Sequence, residues 1–201
     1  MDDKVKARRT RYSVEVSVRE TDMEGYMARF RDCDKFMGFC RECPMFGRSW
    51  ACPPFDFDAE ALLGRYARVS FLAARFEPLA AGVETEDFRD MILPDCGAIE
   101  RFLLEAERRS GGRAFINIGR CRLCGDTVCR RSRGEACLHP DKVRPSLEAY
   151  GFDVGRTLTV LFGIDLKWSS DGTVPGYMVL VTGLFHDAGY HLRFAEKDLI
   201  Y

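Results

Sequence analysis

Nine cysteines are the residues of this 201-residue sequence whose type and spacing most clearly predict chemistry, and eight of them lie in two short segments. The first cysteine segment (residues 33–55) has the spacing C-x6-C-x2-C-x8-C, and the second cysteine segment (residues 121–140) has C-x2-C-x4-C-x7-C. A C-x2-C pair can present two sulfurs from one tight turn to a single metal ion or cluster. The predicted metal ligands are Cys33, Cys40, Cys43, Cys52, Cys121, Cys124, Cys129 and Cys137.

Three roles are open to these thiols: metal binding, thiol–disulfide chemistry and simple packing. A free cysteine often packs as a small hydrophobe, but eight in two short segments exceed what packing needs. Redox-active C-x2-C pairs usually open a helix, whereas Pro44 and Gly125 follow the pairs here. Metal binding is therefore the favoured interpretation.

The metal itself stays open between an iron–sulfur cluster and zinc, because four thiolates are suitable ligands for both. The all-sulfur ligands, their irregular spacing and the Cys52-Pro53 step favour iron–sulfur, since a proline also follows the last cysteine of a bacterial ferredoxin run. We expect one or two clusters of the 4Fe-4S type. Zinc is the alternative, because a glycine such as Gly125 after a C-x2-C pair is typical of zinc knuckles.

Other candidate ligands have simpler interpretations. Cys33 is the least certain ligand of its segment, because it lies furthest from the other three cysteines. His139 could replace or orient a ligand, but a turn histidine before Pro140 is the simpler role. Packing or surface roles are predicted for Cys96, His186 and His191.

Charged and aromatic side chains surround the two segments differently. Cations near the second segment would offset the negative charge of metal-bound thiolates. Alternatively, they form a solvated basic loop, or a patch that docks an acidic redox partner, a phosphate or a carboxylate. Binding of nucleic acid is a further alternative. These cations are Arg113, Arg120, Arg122, Arg130, Arg131 and Arg133. Aromatic residues near the first segment would shield a cluster or anchor the loop, and they are Phe36, Phe39, Phe46, Trp50, Phe55 and Phe57.

The balanced composition narrows the classes of partner. The formal net charge is −1, so no bulk attraction to nucleic acid or to an anionic membrane is expected. No run of about 18 apolar residues predicts a membrane span, and the charged N-terminus argues against a secretory signal. We therefore expect a cytoplasmic protein with reduced thiols.

The elements that position the two segments are predicted from periodicity and from capping residues. Strands are predicted over residues 12–18, 67–76, 113–118, 157–166 and 176–185, with the last two joined as a hairpin. Helices are predicted over 58–63 with an Asp58 cap, from a Thr85 cap to Pro94, from an Asp95 cap to Gly111, and over 145–150. The predicted fold class is α+β, with a mixed β-sheet, helices packed on it and two cysteine-rich metal-binding loops. Residues 1–201 are predicted to form a single domain, because no linker divides them.

Both cysteine segments resemble a known family. The stretches CRECPMFGRSWACPPF and CRLCGDTVCRRSRGEACLHPDKVRPSLEAYGFDV are similar to the predicted metal-binding proteins of domain of unknown function 2284, over roughly residues 33–166. The resemblance implies metal binding through these cysteines and implies no reaction. In related sequences the second segment is expected to be more compact, with two residues between its second and third cysteines, where GDTV places four here.

The favoured function is electron transfer, or a role beside a redox enzyme, with a redox protein as partner. A zinc-stabilised interaction module without catalysis is one alternative. An enzyme is another, in which one metal keeps an open position because Cys33 or Cys129 is not a ligand. The sequence contains no G-x-S-x-G, H-E-x-x-H, Walker or G-x-G-x-x-G motif, and no catalytic residue is predicted.

Overall fold

The structure is a computed structural model that describes residues 4–116, 121–125 and 127–199. Its strands are β1 Lys4–Arg8, β2 Tyr12–Asp22, β3 Arg68–Pro78, β4 Arg113–Phe115 and β5 Met178–His186. Its α-helices are α1 Met23–Phe30, α2 Cys33–Glu42, α3 Ala59–Leu63, α4 Thr85–Ser110 and α5 Val154–Thr157. The predicted α+β class is confirmed by this content.

The five strands form one sheet in the order β1-β2-β3-β5-β4, and each of the four pairings is antiparallel. The predicted mixed sheet is therefore wrong. Helix α4 connects β3 to β4, and these two strands run in the same direction. They do not pair, however, because β5 lies between them: Leu184 is opposite Ser70 on one side and opposite Ala114 on the other.

Apolar side chains cover both faces of the sheet, which explains why β3 is apolar at nearly every position. Successive residues of a strand point to opposite faces. Leu72 and Ala74 pack on the face that carries α4, whereas Phe71 and Ala73 pack on the face that carries α1, α3 and α5. The strand predicted over 67–76 is confirmed as the central β3, buried on both sides.

Aspartate side chains begin four of the helices by accepting a hydrogen bond from a backbone amide in the first turn. Asp58 accepts from the amide of Ala61 at 3.0 Å and Gly64 ends the helix, as predicted for 58–63. Asp22, Asp32 and Asp153 begin α1, α2 and α5 in the same way.

The strand predicted over 157–166 is wrong, and so is the hairpin that it was to form. Asp153 caps α5, and the chain continues through a π-helical turn, Leu158–Phe162, that ends at Gly163 with φ of 66°. A short apolar run is compatible with either a strand or a buried helix. Here the caps at both ends decide the outcome, and Leu158 is buried while Val160 is half exposed.

The two helices predicted from Thr85 to Gly111 are one helix, α4, that runs through Pro94. Glu84 rather than Thr85 occupies its N-cap position. Asp95 does not begin a second helix. It lies fully buried inside α4 and accepts hydrogen bonds from Arg9 and Tyr12.

Three further predictions differ from the structure in extent. The first cysteine segment is not entirely a loop, because Cys33 and Cys40 lie in α2. The predicted strand 113–118 is confirmed over β4, and positions 117–118 lie outside the described residues. The short helix predicted over 145–150 is a 3-10 turn, Glu148–Tyr150, that ends at Gly151.

Within the described part of the chain, no helix combines the length and the apolar character needed to cross a membrane.

Candidate metal centre

The C-x2-C pair of the first cysteine segment lies where α2 ends. The amide of Cys43 donates to the carbonyl of Cys40 at 3.1 Å, and Cys43 leaves the helix with extended backbone angles. The amide of Phe46 then donates to the carbonyl of Cys43 at 3.0 Å. These two tight turns keep both sulfur-bearing residues at one end of α2.

The loop after α2 folds back and returns Cys52 to this pair. The amide of Gly47 donates to the carbonyl of Pro53 at 2.8 Å, which closes the loop, and Gly47 has a φ of 67° that favours glycine. Inside the loop the amide of Cys52 donates to the carbonyl of Ser49 at 3.0 Å. Cys52 is therefore held near Cys43 although nine positions separate them in sequence.

The charges of the three thiols act on one another. Burial raises the pKa of the Cys40 thiol, and the charges of Cys43 and Glu148 raise it further. Burial also raises the pKa of the Cys52 thiol, and the charges of Cys43 and Cys40 raise it further. A hydrogen bond from Ser49 and the charge of Arg131 lower this pKa. Cys40, Cys43 and Cys52 form what we call the first thiol group.

Cys33 stands apart from the first thiol group. It begins α2, and Cys40 lies seven positions further along the same helix, which corresponds to a rise of about 10 Å. Two sulfurs on one tetrahedral zinc are about 3.8 Å apart, given zinc–sulfur bonds of about 2.3 Å. The Cys33 sulfur instead faces the turn at Gly151, where a Cβ atom would lie 2.9 Å from it.

The second cysteine segment is a series of turns. The amide of Gly125 donates to the carbonyl of Arg122 at 3.0 Å and closes the turn of the Cys121 and Cys124 pair. Residues Arg130–Arg133 form a 3-10 turn that Gly134 ends with a φ of 70°. This turn separates Cys129 from Cys137.

The other three thiols of this segment act on the Cys121 thiol. Burial raises the pKa of the Cys121 thiol, a hydrogen bond from the amide of Leu123 lowers it, and the charges of Cys129, Cys124 and Cys137 raise it. The sulfur of Cys137 accepts from the amide of His139 at 3.3 Å. Hydrogen bonds to sulfur are a means by which proteins tune iron–sulfur clusters. We call Cys121, Cys124, Cys129 and Cys137 the second thiol group.

The donor atoms have the chemistry of a metal centre, but they are not closed around a common point. All nine cysteines lie in the described residues and all are free thiols. Among residues 4–116, 121–125 and 127–199, no three His, Cys, Asp or Glu side chains converge closely enough to hold a metal ion. The thiols thus fit a soft metal in type and in grouping, and binding would require the loops to tighten around it.

Most arginines near the second segment have partners inside the protein. Arg122 lies 3.6 Å from the Asp90 carboxylate, and Arg130 and Arg133 lie 3.6 and 2.9 Å from that of Glu135. Arg131 donates to backbone carbonyls of the first segment. Arg120 lies outside the described residues. These contacts hold Arg122, Arg130 and Arg133 beside carboxylates and hold Arg131 against the first segment.

The aromatic residues of the first segment divide into two sets. Phe55 is stacked on Phe57 with ring centroids 4.7 Å apart and contacts the buried Tyr150, so it anchors the loop to the core. Phe39, in contrast, is 58% exposed on α2. Cys96 packs against the core, where burial raises its pKa to about 12.

His186 and Glu20 form a grouping that the sequence does not reveal. His186 ends β5 and is fully buried, with its Nε2 atom 2.8 Å from the Ser70 hydroxyl. The Glu20 carboxylate lies 3.4 Å from exposed His191 and also accepts from Arg68. Only the register of β2, β3 and β5 brings these residues together.

The match to known families covers both thiol groups. Residues 30–186 match the family described as predicted metal-binding protein (DUF2284). Because this stretch is well over half of the 201 residues, the chain belongs to that family. The predicted family resemblance is thereby confirmed. Comparison with curated proteins and with solved structures gave no match.

Proposed function

We propose that this chain holds iron–sulfur clusters of the 4Fe-4S type through its two thiol groups, and that it transfers electrons or serves beside a redox enzyme. The observation that carries the proposal is the assembly of seven free thiols into two groups, each built on a C-x2-C turn. The membership in a family of predicted metal-binding proteins supports it. A bound cluster would supply a one-electron redox step, and a redox protein would be the partner.

The residues of the chain would prepare the thiols for this role. Metal binding requires thiolates, so the raised pKa values of Cys40, Cys52 and Cys121 mean that protons are released as the metal binds. The amide of His139 and the hydroxyl of Ser49 donate to sulfur and would offset the negative charge of the loaded site. We propose four ligands in the second thiol group and three in the first, without Cys33.

Zinc is the second candidate, and the turn at Gly125 favours it. Gly125 has a φ of 61° directly after the Cys121 and Cys124 pair, and four thiolates there would complete a structural zinc site. In that case the metal would stabilise the loop and the chain would act as an interaction module.

Anaerobic purification with metal analysis tests the proposal. We expect brown protein that contains iron and inorganic sulfide in a ratio near one and whose visible absorption bleaches with dithionite. Cys40→Ser and Cys121→Ser should each lose metal, whereas the matched control Cys33→Ser should keep the wild-type content. Colourless protein with stoichiometric zinc would contradict the iron–sulfur assignment, and metal loss in Cys33→Ser alone would contradict the ligand set.

A further inference from the structure

An arginine side chain of the second cysteine segment binds the backbone of the first. The Nη1 atom of Arg131 donates to the carbonyls of Ser49 at 2.9 Å and Cys52 at 2.5 Å, and its Nη2 atom donates to the carbonyl of Pro54. Three carbonyls of the turn that carries Cys52 are thus bound by one guanidinium from the other segment. The contact joins positions 77 to 82 residues apart in sequence.

Trp50 completes the contact from the opposite direction. The guanidinium carbon of Arg131 lies 5.0 Å from the centroid of the Trp50 ring, a distance at which a cation is attracted to the ring face. The indole Nε1 atom donates to the carbonyl of Glu135 at 3.0 Å. Each segment therefore inserts one side chain into the backbone of the other.

The position of Arg131 depends on the second thiol group. Arg131 lies in the 3-10 turn between Cys129 and Cys137, and the amide of Ser132 donates to the carbonyl of Cys129 at 3.1 Å. A metal that holds Cys129 and Cys137 would fix this turn. Fixing the turn would in turn fix the guanidinium against the carbonyls around Cys52.

We propose that Arg131 is a positioning residue that couples the two thiol groups, so that metal in the second group prepares the first group to bind. The inference rests on the proposed function, since it assumes that both groups bind metal. Coupling between two sites is reciprocal, so metal in the first group also favours binding in the second. Lysine cannot replace Arg131, because an ammonium cannot direct planar donors at several carbonyls at once.

Cobalt titration of reduced, metal-free protein tests this coupling, with thiolate–cobalt absorption as the readout. The four proteins are wild type, Arg131→Ala, the double variant Cys121→Ser with Cys124→Ser, and the combination of all three substitutions. We expect loss of the second group to weaken cobalt binding by the first group about 5- to 150-fold when Arg131 is present. In the Arg131→Ala background, we expect loss of the second thiol group to leave cobalt binding by the first group unchanged.

A matched control and a second readout separate coupling from general damage. Arg133→Ala alters the same 3-10 turn but removes only an exposed ion pair with Glu135, so it should leave the coupling intact. Amide hydrogen exchange in the turn that carries Cys52 should be faster in metal-free Arg131→Ala than in metal-free wild type. If Arg131→Ala does not fold, Arg131→Lys should show the same loss of coupling in a folded protein.

The outcomes distinguish the two proposals. Wild-type protein without thiolate–cobalt bands would overturn this inference, whereas the iron and sulfide content of anaerobically purified protein decides the proposed function separately. If both thiol groups of the wild type bind cobalt, and Arg131→Ala or Arg131→Lys shows the same coupling between them as the wild type, this inference is overturned and the proposed function is not. Loss of coupling in Arg133→Ala as well would also overturn it, because the effect would then belong to the whole turn.

Discussion

Asp95 is a carboxylate that the fold buries completely, and it joins the start of the sheet to the middle of α4. The guanidinium of Arg9 donates to it at 3.1 and 2.5 Å, and the Tyr12 hydroxyl donates at 2.6 Å. Arg9 also donates to the carbonyl of Leu199 at 2.9 Å, so the C-terminal 3-10 turn Glu196–Leu199 belongs to the same network.

Asp95→Ala should lower the free energy of unfolding by about 3 kcal/mol, because it leaves the partly buried Arg9 without its carboxylate. Urea unfolding measures the change. The matched control is Glu105→Ala in the same helix, whose ion pair with Arg108 is exposed and which should cost less than about 1 kcal/mol. Equal losses in the two variants would contradict the role assigned to Asp95.

At the scale of elements, Gly183 is where β5 comes closest to both neighbouring strands. A Cβ atom there would overlap the carbonyl oxygen of Ser70 in β3 and would lie 2.6 Å from the Phe115 ring in β4. Both neighbours are fully buried and cannot move aside. The insertion of β5 between β3 and β4 therefore depends on a glycine at this position.

Gly183→Ala should destabilise the protein by about 3 kcal/mol, at the upper end of overpacking effects. Gly38→Ala in α2 is the control, since a Cβ there meets nothing within 4 Å and alanine should strengthen the helix by about 0.5–1 kcal/mol. Thermal unfolding measures the first variant and amide hydrogen exchange in α2 the second. A Gly183→Ala protein as stable as wild type would show that β5 is not packed as described.

Elements fixed by local signals could be predicted from the sequence, and elements fixed by distant contacts could not. The alternation of 12–18 predicted β2, and Asp58 with Gly64 predicted α3. The run at 157–166 misled because its β-branched residues favour a strand, whereas the caps at Asp153 and Gly163 impose helical turns. Asp95 resembles a helix cap in sequence, and only its burial against Arg9 explains its place within α4.

The same distinction holds at the candidate metal centre. The C-x2-C pairs and the family resemblance could be read from the sequence. The separation of Cys33 could not, because it follows from the length of α2 and from the turn at Gly151. The contact of Arg131 with the Cys52 turn was also beyond local patterns, since it joins two distant loops.

At the scale of the whole molecule, the hydrophobic core does not depend on the thiol groups. The described core lies on the two faces of the sheet, and none of the eight predicted ligands belongs to its buried residues. The first segment attaches to this core where Phe55 contacts Tyr150, and just beyond the second segment Arg144 pairs with Glu107 of α4.

Removal of metal by a chelator should therefore loosen the two cysteine segments and leave the sheet folded. Circular dichroism should retain the strand signal and one cooperative unfolding transition, while limited proteolysis should become faster within residues 43–57 and 121–143. Small zinc-finger domains behave differently, because they unfold without metal. Loss of the cooperative transition on chelation would show that the metal supports the core itself.

Strand β1 has a consequence for contacts between copies of the chain. It lies at one edge of the sheet, and its exposed residues are Lys4, Lys6 and Arg8. Both lysines reach back to Glu15 on β2, at 3.1 and 2.9 Å. Two such edges brought together would set cations against cations, which is a means by which natural sheets resist aggregation through strand addition.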